Sequence, residues 1–461
     1  MSEADTEMNA SYLHFFEEIS RIPRGSGNTR AISDYCAAFA RDRGLRWIQE
    51  PCHNVLIFKD ATAGYETHPA VMIQGHLDMV CEKDPDCPIH MDQDGLRLKR
   101  MGEWLFAEGS TLGADDGIAV AYALALLDSD RIPHPPLEVV LTVDEETGMD
   151  GARLIDPAPL KARTLLNIDS EAEGILTVGC AGGCRAEVRW NAARSAVSGA
   201  AWRIAVGGLR GGHSGMDIDK GRANSNILLA RILAEFRSPR LIRLSGGAKD
   251  NAIPRTAEAI IAVDEAVPEI AARMVAGFRA EFGTAEPDLT VTAEPVAADA
   301  AFSEADSARV VDMLATQPNG IQNMCPQIPG LVQTSLNLGT LKSDFSGVTA
   351  TMSLRSSVNA EKAKLKNRLA AMAAAHGAQI SFHGEYPAWE YRPDSPIREL
   401  MCRCYRELNG AEPSVETIHA GLECGLLGAK LPGLDAVSFG PDILDIHTTR
   451  ERLNLPSAER T

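Results

Sequence analysis

Three β-rich apolar runs early in the chain each end in a cluster of polar or acidic residues, and no other feature constrains the fold as much. The run at 71–74 meets Gly75-His76-Leu77-Asp78, the run at 137–143 meets Asp144-Glu145-Glu146, and the run at 164–168 meets Asp169-Ser170-Glu171. Stretches with helical patterning at 11–22, 30–43 and 117–127 alternate with such runs, as in a mostly parallel sheet layered with helices. Open sheets of that kind gather their chemistry at the carboxyl ends of the strands. The pattern predicts an α/β class fold, a mixed and mostly parallel sheet flanked by helices.

The texture changes near residue 183. Strand–helix–strand units at 201–206, 224–236, 257–262 and 269–282, and again at 347–354, 360–375 and 379–382, read as two small sandwich modules in a row. After Pro387 the first texture returns, with a helix near 396–408, glycine-rich turns at 421–433 and a strand at 436–439. The organisation that follows is one domain, residues 1–182 and 387–461, interrupted by an inserted α+β domain at 183–386. A length of 461 residues suits more than one core.

Composition removes several classes. Hydrophobic residues are 45% and charged residues 23% of the chain, and no apolar run reaches the length of a bilayer span. Lys and Arg number 45 against 63 Asp and Glu, a net charge of −18 that argues against a nucleic-acid or anionic-membrane partner. The acidic start, MSEADTEMNASYLHFFEE, lacks the basic and apolar segments of a secretory signal, so a cytoplasmic protein is expected. The ten cysteines then read as reduced thiols, and Cys402-x-Cys404 and Cys180-xxx-Cys184 as packing residues rather than zinc thiolates.

Five segments carry candidate metal ligands. In extended chain, residues two apart share a face, so Asp78 can orient the His76 imidazole and fix its tautomer. Asp115 and Asp116 precede an apolar helix. One aspartate would serve as an N-cap, but a pair exceeds what capping needs, leaving one to bridge two cations while the other caps or supports. Asp144, Glu145 and Glu146 at the end of a buried strand would repel one another unless cations or solvent intervened. Asp169 and Glu171 follow a further strand, and His447 lies in a turn nearly 280 residues later. Each segment has a plain alternative: a satisfied histidine, a helix cap, a solvated acidic turn. Together, imidazole and carboxylate ligands suit Zn²⁺, with Mn²⁺ or Co²⁺ as alternatives.

The motifs GHLDMVCEK, TLGADDGIA, DEETGMDGA, NIDSE, GCAGG, GGHSG and HAGLECG resemble those of the co-catalytic zinc peptidase family of carnosinases, glutamate carboxypeptidases, succinyl-diaminopimelate desuccinylases and aminoacylases, and within it the bacterial aminoacyl-histidine dipeptidase branch. The resemblance spans essentially the whole chain. It implies a catalytic domain of the zinc-peptidase type with the insert as a lid. It also implies that Asp115 bridges two divalent metal ions, zinc foremost. His76 and Asp169 would complete one site, and Glu146 and His447 the other. Glu145 would be the general base for a water activated by both metals, Asp78 the partner of His76, and the Asp115–Asp116 peptide cis. In the lid, His213 would assist the oxyanion, and Asn251 and Arg355, with the backbone of Gly421, would grip the substrate's terminal carboxylate. His419 is a further substrate-site candidate.

The implied activity is a metal-dependent dipeptidase acting on Xaa-His dipeptides, carnosine-like substrates included. The same centre would also suit an N-acyl-amino-acid amidohydrolase. A non-catalytic metal-binding protein would be expected to have lost Glu145 or a ligand, and each of those positions is intact. The branch implies a homodimer, although the doubled lid would also suit a monomer.

Overall fold

The computed structural model describes residues 3–197, 200–326, 328 and 330–461, with side chains from Ser11 onward. Met1 and Ser2 of the acidic N-terminal segment lie outside the described residues. The chain divides into two compact units: residues 1–179, 391–417 and 422–461 form the first, and 180–390 with 418–421 the second.

In the first unit an eight-stranded sheet runs in the order Arg46–Gln49, Val55–Lys59, Leu137–Thr142, Val71–His76, Thr164–Asn167, Asp435–Ser438, Ile175–Cys180, Ser414–Ile418. Val71–His76 is parallel to Leu137–Thr142 on one side and to Thr164–Asn167 on the other, and Asp435–Ser438 continues the parallel set. All six residues of Leu137–Thr142 are buried, which explains why its apolar residues do not alternate with exposed ones, and the buried Glu138 is satisfied by the Lys161 and Ala162 amides. The helix Ala114–Asp128 is apolar on every side and buried along nearly its whole length, as a central helix must be. Its Tyr122 packs edge-on against Tyr12 of the helix Glu3–Ile19, ring centroids 5.1 Å apart.

A small sheet in this unit fixes the loop that bears His447. Ile443–Leu444 and Arg452–Asn454 pair antiparallel, and the latter is pinned to Trp104–Ala107, which pairs in turn with Leu98–Met101. The loop 445–451 is thus held at both ends, and Asp445 and His447 take left-handed φ values of 53° and 59° within it.

In the second unit the two expected modules share one nine-stranded sheet. Thr290–Val296, Ala201–Gly207, Ala257–Ala262 and Arg240–Gly246 form one half, and Val332–Ser343, Gly347–Ser356, Gly182–Asn191 and Gln379–Tyr386 the other, with Gly320–Met324 as a ninth strand paired to Val332–Ser343. The halves join where Ser245 and Gly246 pair with Lys342 and Leu341. The helix Ser225–Leu233 starts under an Asn224 cap whose side chain accepts from the Asn226 and Ile227 amides. Its Leu228, Leu229 and Ile232 enter a core with Leu338, Ala350 and Leu369. Among the described residues no helix is long and apolar enough to cross a membrane.

Candidate functional site

The parallel registers set the strand ends side by side. His76 lies opposite Thr142 and Gln74 opposite Asn167, so the acids that follow those strands emerge next to His76. His76 Nε2 is 3.1 Å from Asp115 Oδ1 and 3.7 Å from Asp169 Oδ1. His447 Nε2 is 3.1 Å from Asp115 Oδ2 and 3.0 Å from Glu146 Oε1. Asp115 therefore offers one carboxylate oxygen to each imidazole. Donor atoms of His76, Glu145 and Glu146 lie within 4.8 Å of one another, as do those of Asp115, Glu146 and His447, and those of His76, Asp116 and Asp169.

Asp78 is fully buried behind His76, its Oδ1 3.3 Å from Nδ1. The same carboxylate accepts from Ser26 Oγ at 2.8 Å and from the Glu145 and Glu146 amides at 3.1 and 3.3 Å, tying the imidazole to the acidic turn. Burial works against its charge, but the bonds from His76, Ser26 and the Glu145 amide outweigh it and hold Asp78 below the usual carboxylate range.

The Asp115–Asp116 peptide is cis, and neither aspartate caps the helix. The N-cap position is Gly113, at φ 65° and without a side chain to offer. Asp116 Oδ2 instead accepts from the His76 amide at 3.1 Å, so it supports the neighbouring strand. A Cβ on Gly75 would collide with that carboxylate and with Ala119, which explains glycine directly before His76.

Crowding of acids marks the titration behaviour of the cluster. Burial, then the charge of Asp169, raises Asp116 well above its ordinary value. Burial, reinforced by Asp169, Glu423 and Glu146, does the same to Glu145. Burial lifts Asp169 to about 6, and burial with repulsion from Asp115 and Asp169 lifts Glu171 to about 8. Hydrogen bonds to Asp115 and Glu146 push His447 up to about 10. So many buried carboxylates call for positive charge. Asp169 Oδ2 is buried without a hydrogen-bond partner, an oxygen that a cation would satisfy. The donors are imidazole nitrogens and carboxylate oxygens with no thiolate among them, so the cluster fits divalent cations of the borderline or hard kind.

Three supporting residues escaped the sequence reading. Glu451 is buried and accepts from the amides of Leu112, Gly113, Ala114 and Asp115 at 2.8, 3.0, 2.8 and 3.4 Å. It supplies the cap that the aspartates do not. Buried Arg24 donates to the carbonyls of Leu77 and Asp78 at 2.9 and 3.1 Å and also to that of Gly113, joining the His76 and Asp115 turns. Buried Glu423 accepts from Gln74 Nε2 and Thr142 Oγ1 beneath the strand ends. Glu423 lies inside HAGLECG, so its motif was visible. Nothing in the local pattern marks Glu451 or Arg24.

The second unit gathers most of its own candidates. His213, on the short strand Gly212–His213, accepts at Nδ1 from the Gly215 and Met216 amides at 3.3 and 3.1 Å, which leaves Nε2 to carry the proton of the neutral ring. Burial and the nearby Arg355 charge keep this imidazole below its ordinary value. Arg355 is buried, and its Nη1 lies 3.2 Å from the Tyr386 hydroxyl. His419 Nε2 is 2.7 Å from Ser335 Oγ, and burial with Arg355 lowers the ring to about 4. Gly421 packs so close to Tyr386 that a Cβ there would press on the phenol ring. Asn251 is exposed on the turn before Ala252, its carbonyl accepting from the Ser214 amide at 2.8 Å.

A mostly parallel α/β sheet whose strand ends gather imidazoles and carboxylates around Asp115 is the arrangement of a metal-dependent hydrolase. The chain belongs to peptidase family M20/M25/M40, which it matches over residues 72–461, and is therefore a peptide-bond hydrolase. It is 36% identical over 467 residues to the cytosol non-specific dipeptidase of Escherichia coli (strain K12), with 99% of this chain and 96% of that protein covered. It superposes on the crystal structure of aminoacylhistidine dipeptidase from Vibrio alginolyticus with a TM-score of 0.91 at 37% identity, covering 99% and 96% of the two chains. A tripeptidase from Staphylococcus aureus shares the fold at 15% identity, with a TM-score of 0.56 and coverage of 98% and 95%.

Proposed function

We propose that this peptidase is a cytoplasmic dipeptidase that cleaves Xaa-His dipeptides, β-alanyl-histidine included, with two divalent cations, zinc foremost. The observation that carries the reading is Asp115, whose two oxygens each lie 3.1 Å from a different imidazole. Asp115 would be shared between the two cations, with His76 and Asp169 holding one and Glu146 and His447 the other. When bound, such a pair supplies Lewis-acid polarisation to the scissile carbonyl and to the attacking water.

The chain's own residues do the rest. Glu145 takes the water proton and passes it to the leaving amine, a task that suits a carboxylate set directly beside the ligand candidates His76 and Glu146. Asp78 holds the His76 ring in orientation. His213, its Nδ1 already occupied as an acceptor, uses Nε2–H to stabilise the oxyanion. Arg355 grips the terminal carboxylate with its guanidinium fork, assisted by Asn251 and the Gly421 backbone, and His419 lines the substrate site. The working form is a homodimer.

The test is hydrolysis of an Xaa-His panel by metal-reconstituted protein and by Glu145→Gln. The variant is expected to lose roughly 10²–10⁴-fold in kcat while metal stoichiometry stays unchanged. Turnover of N-acyl amino acids in preference to the dipeptides would sink the substrate assignment.

A further inference from the structure

Beside the donor cluster, and wholly within the first unit, lies a cavity of about 400 Å³. Glu146 and Ser26 both line it, and both belong to the cluster: Glu146 Oε1 is 3.0 Å from His447 Nε2, and Ser26 Oγ donates to Asp78 Oδ2. The remaining wall includes Met79, Val80, Cys81 and Met91, with the exposed Asp92. Among the described residues no lysine or arginine lines it.

We infer that this cavity is the subsite for the residue on the amino side of the scissile bond, and that it selects neutral, apolar side chains over acidic ones. The inference rests on the dipeptidase reading above. A dipeptide whose scissile carbonyl lies at the donor cluster has its amino-side residue next to that cluster, and this cavity, which shares Glu146 and Ser26 with the cluster, is a surface there. Its size admits a leucine or methionine side chain with room to spare. Thioethers are flexible and polarizable, so Met79 and Met91 adapt to side chains of different shape rather than demand one. A substrate carboxylate entering here would lose water among Met79, Val80 and Met91 and meet Asp92, with no cationic side chain in the wall to pair with, so acidic residues are disfavoured.

Two measurements test this. The first compares kcat/KM for Leu-His, Met-His, Ala-His, Asp-His and Leu-Ala in the metal-loaded chain and in Met91→Arg. The unaltered protein is expected to prefer Leu-His to Asp-His by at least about tenfold, the scale of a side chain in a fitted apolar pocket. Met91→Arg should shrink that ratio at least about tenfold while leaving the ratio of Leu-His to Leu-Ala unchanged. A variant that slows every substrate by one factor overturns the assignment. The second does not depend on how Met91→Arg folds: in the Glu145→Gln chain, Leu-His should protect Cys81 from iodoacetamide, read by mass spectrometry, and Asp-His should not. Equal alkylation with and without Leu-His also overturns it. Failure of the dipeptidase reading looks different, since no Xaa-His dipeptide would then be turned over by the unaltered chain, whatever Cys81 reports.

Discussion

Glu423 opens the helix Glu423–Lys430, fully buried, accepting from Gln74 Nε2 at 2.5 Å and Thr142 Oγ1 at 2.6 Å. Burial raises it to about 7; the Thr142 bond and His76 pull it down, while Asp169 and Asp78 push it further up. A folded value above the unfolded one means the folded chain prefers the neutral acid. That contribution is complete below about 4.5 and is lost as pH rises through about 7. Glu423→Gln keeps an acceptor for both donors and removes the charge. In chelator, the variant is therefore expected to match the unaltered chain near pH 4.5 and to exceed it by on the order of 2–3 kcal/mol at pH 8. Urea unfolding at a series of pH values reads this directly, and parallel stability curves would refute it. The residues in the donor cluster were legible because a strand ending in acids is locally conspicuous. The charge state of Glu423 was not, since it depends on what lies above and below it in the folded sheet.

At the scale of elements, the buried helix Ala114–Asp128 is held at its start by a carboxylate from another part of the chain. Glu451 sits four residues beyond His447, so a single loop supplies both an imidazole and the cap for the turn that carries Asp115. Glu451→Gln puts an NH₂ group where one of two acceptor oxygens stood, and buried amides left without acceptors cost about 1–3 kcal/mol each. Because the turn that carries Asp115 and not the chemistry is affected, metal affinity should fall roughly 10–100-fold with kcat at saturating metal nearly kept. Calorimetric metal titration alongside metal-saturated kinetics checks this. A fall in kcat at unchanged affinity would show that Glu451 acts elsewhere. A strand expected at 257–262 is Ala257–Ala262 and a helix expected at 117–127 runs Ala114–Asp128, whereas the helix expected at 11–22 runs Glu3–Ile19, its polar first turns giving no apolar signal. The join between the two halves of the second unit's sheet was not readable, because pairing of Ser245 with Lys342 is set by residues almost a hundred positions apart and leaves no local signature.

For the molecule as a whole, the balance between buried acids and cations should govern stability against pH. Asp169, Glu171 and Glu423 are raised to about 6, 8 and 7, so each contributes stability below its unfolded value near 4 that is lost as pH climbs through the folded one. His447, raised to about 10 by its two carboxylate partners, acts with the same sign: its contribution is whole below about 6.5 and disappears as pH rises through about 10. The chelated protein should therefore weaken steadily from pH 5.5 to pH 8. Bound cations reverse the penalty, because they bind the folded state, favour the ionised carboxylates, and stabilise by an amount set by concentration over Kd. Protons compete with them at low pH, which widens the contrast further. The gap in Tm between metal-loaded and chelated protein should thus be small at pH 5.5 and larger by about 5–10 °C at pH 8, given about 2–4 °C per kcal/mol for domains of this size. Differential scanning calorimetry with and without chelator at both pH values measures it. A gap that stays constant or narrows on going to pH 8 would mean that these carboxylates are compensated by protein groups alone, and that the cluster does not need cations to be stable.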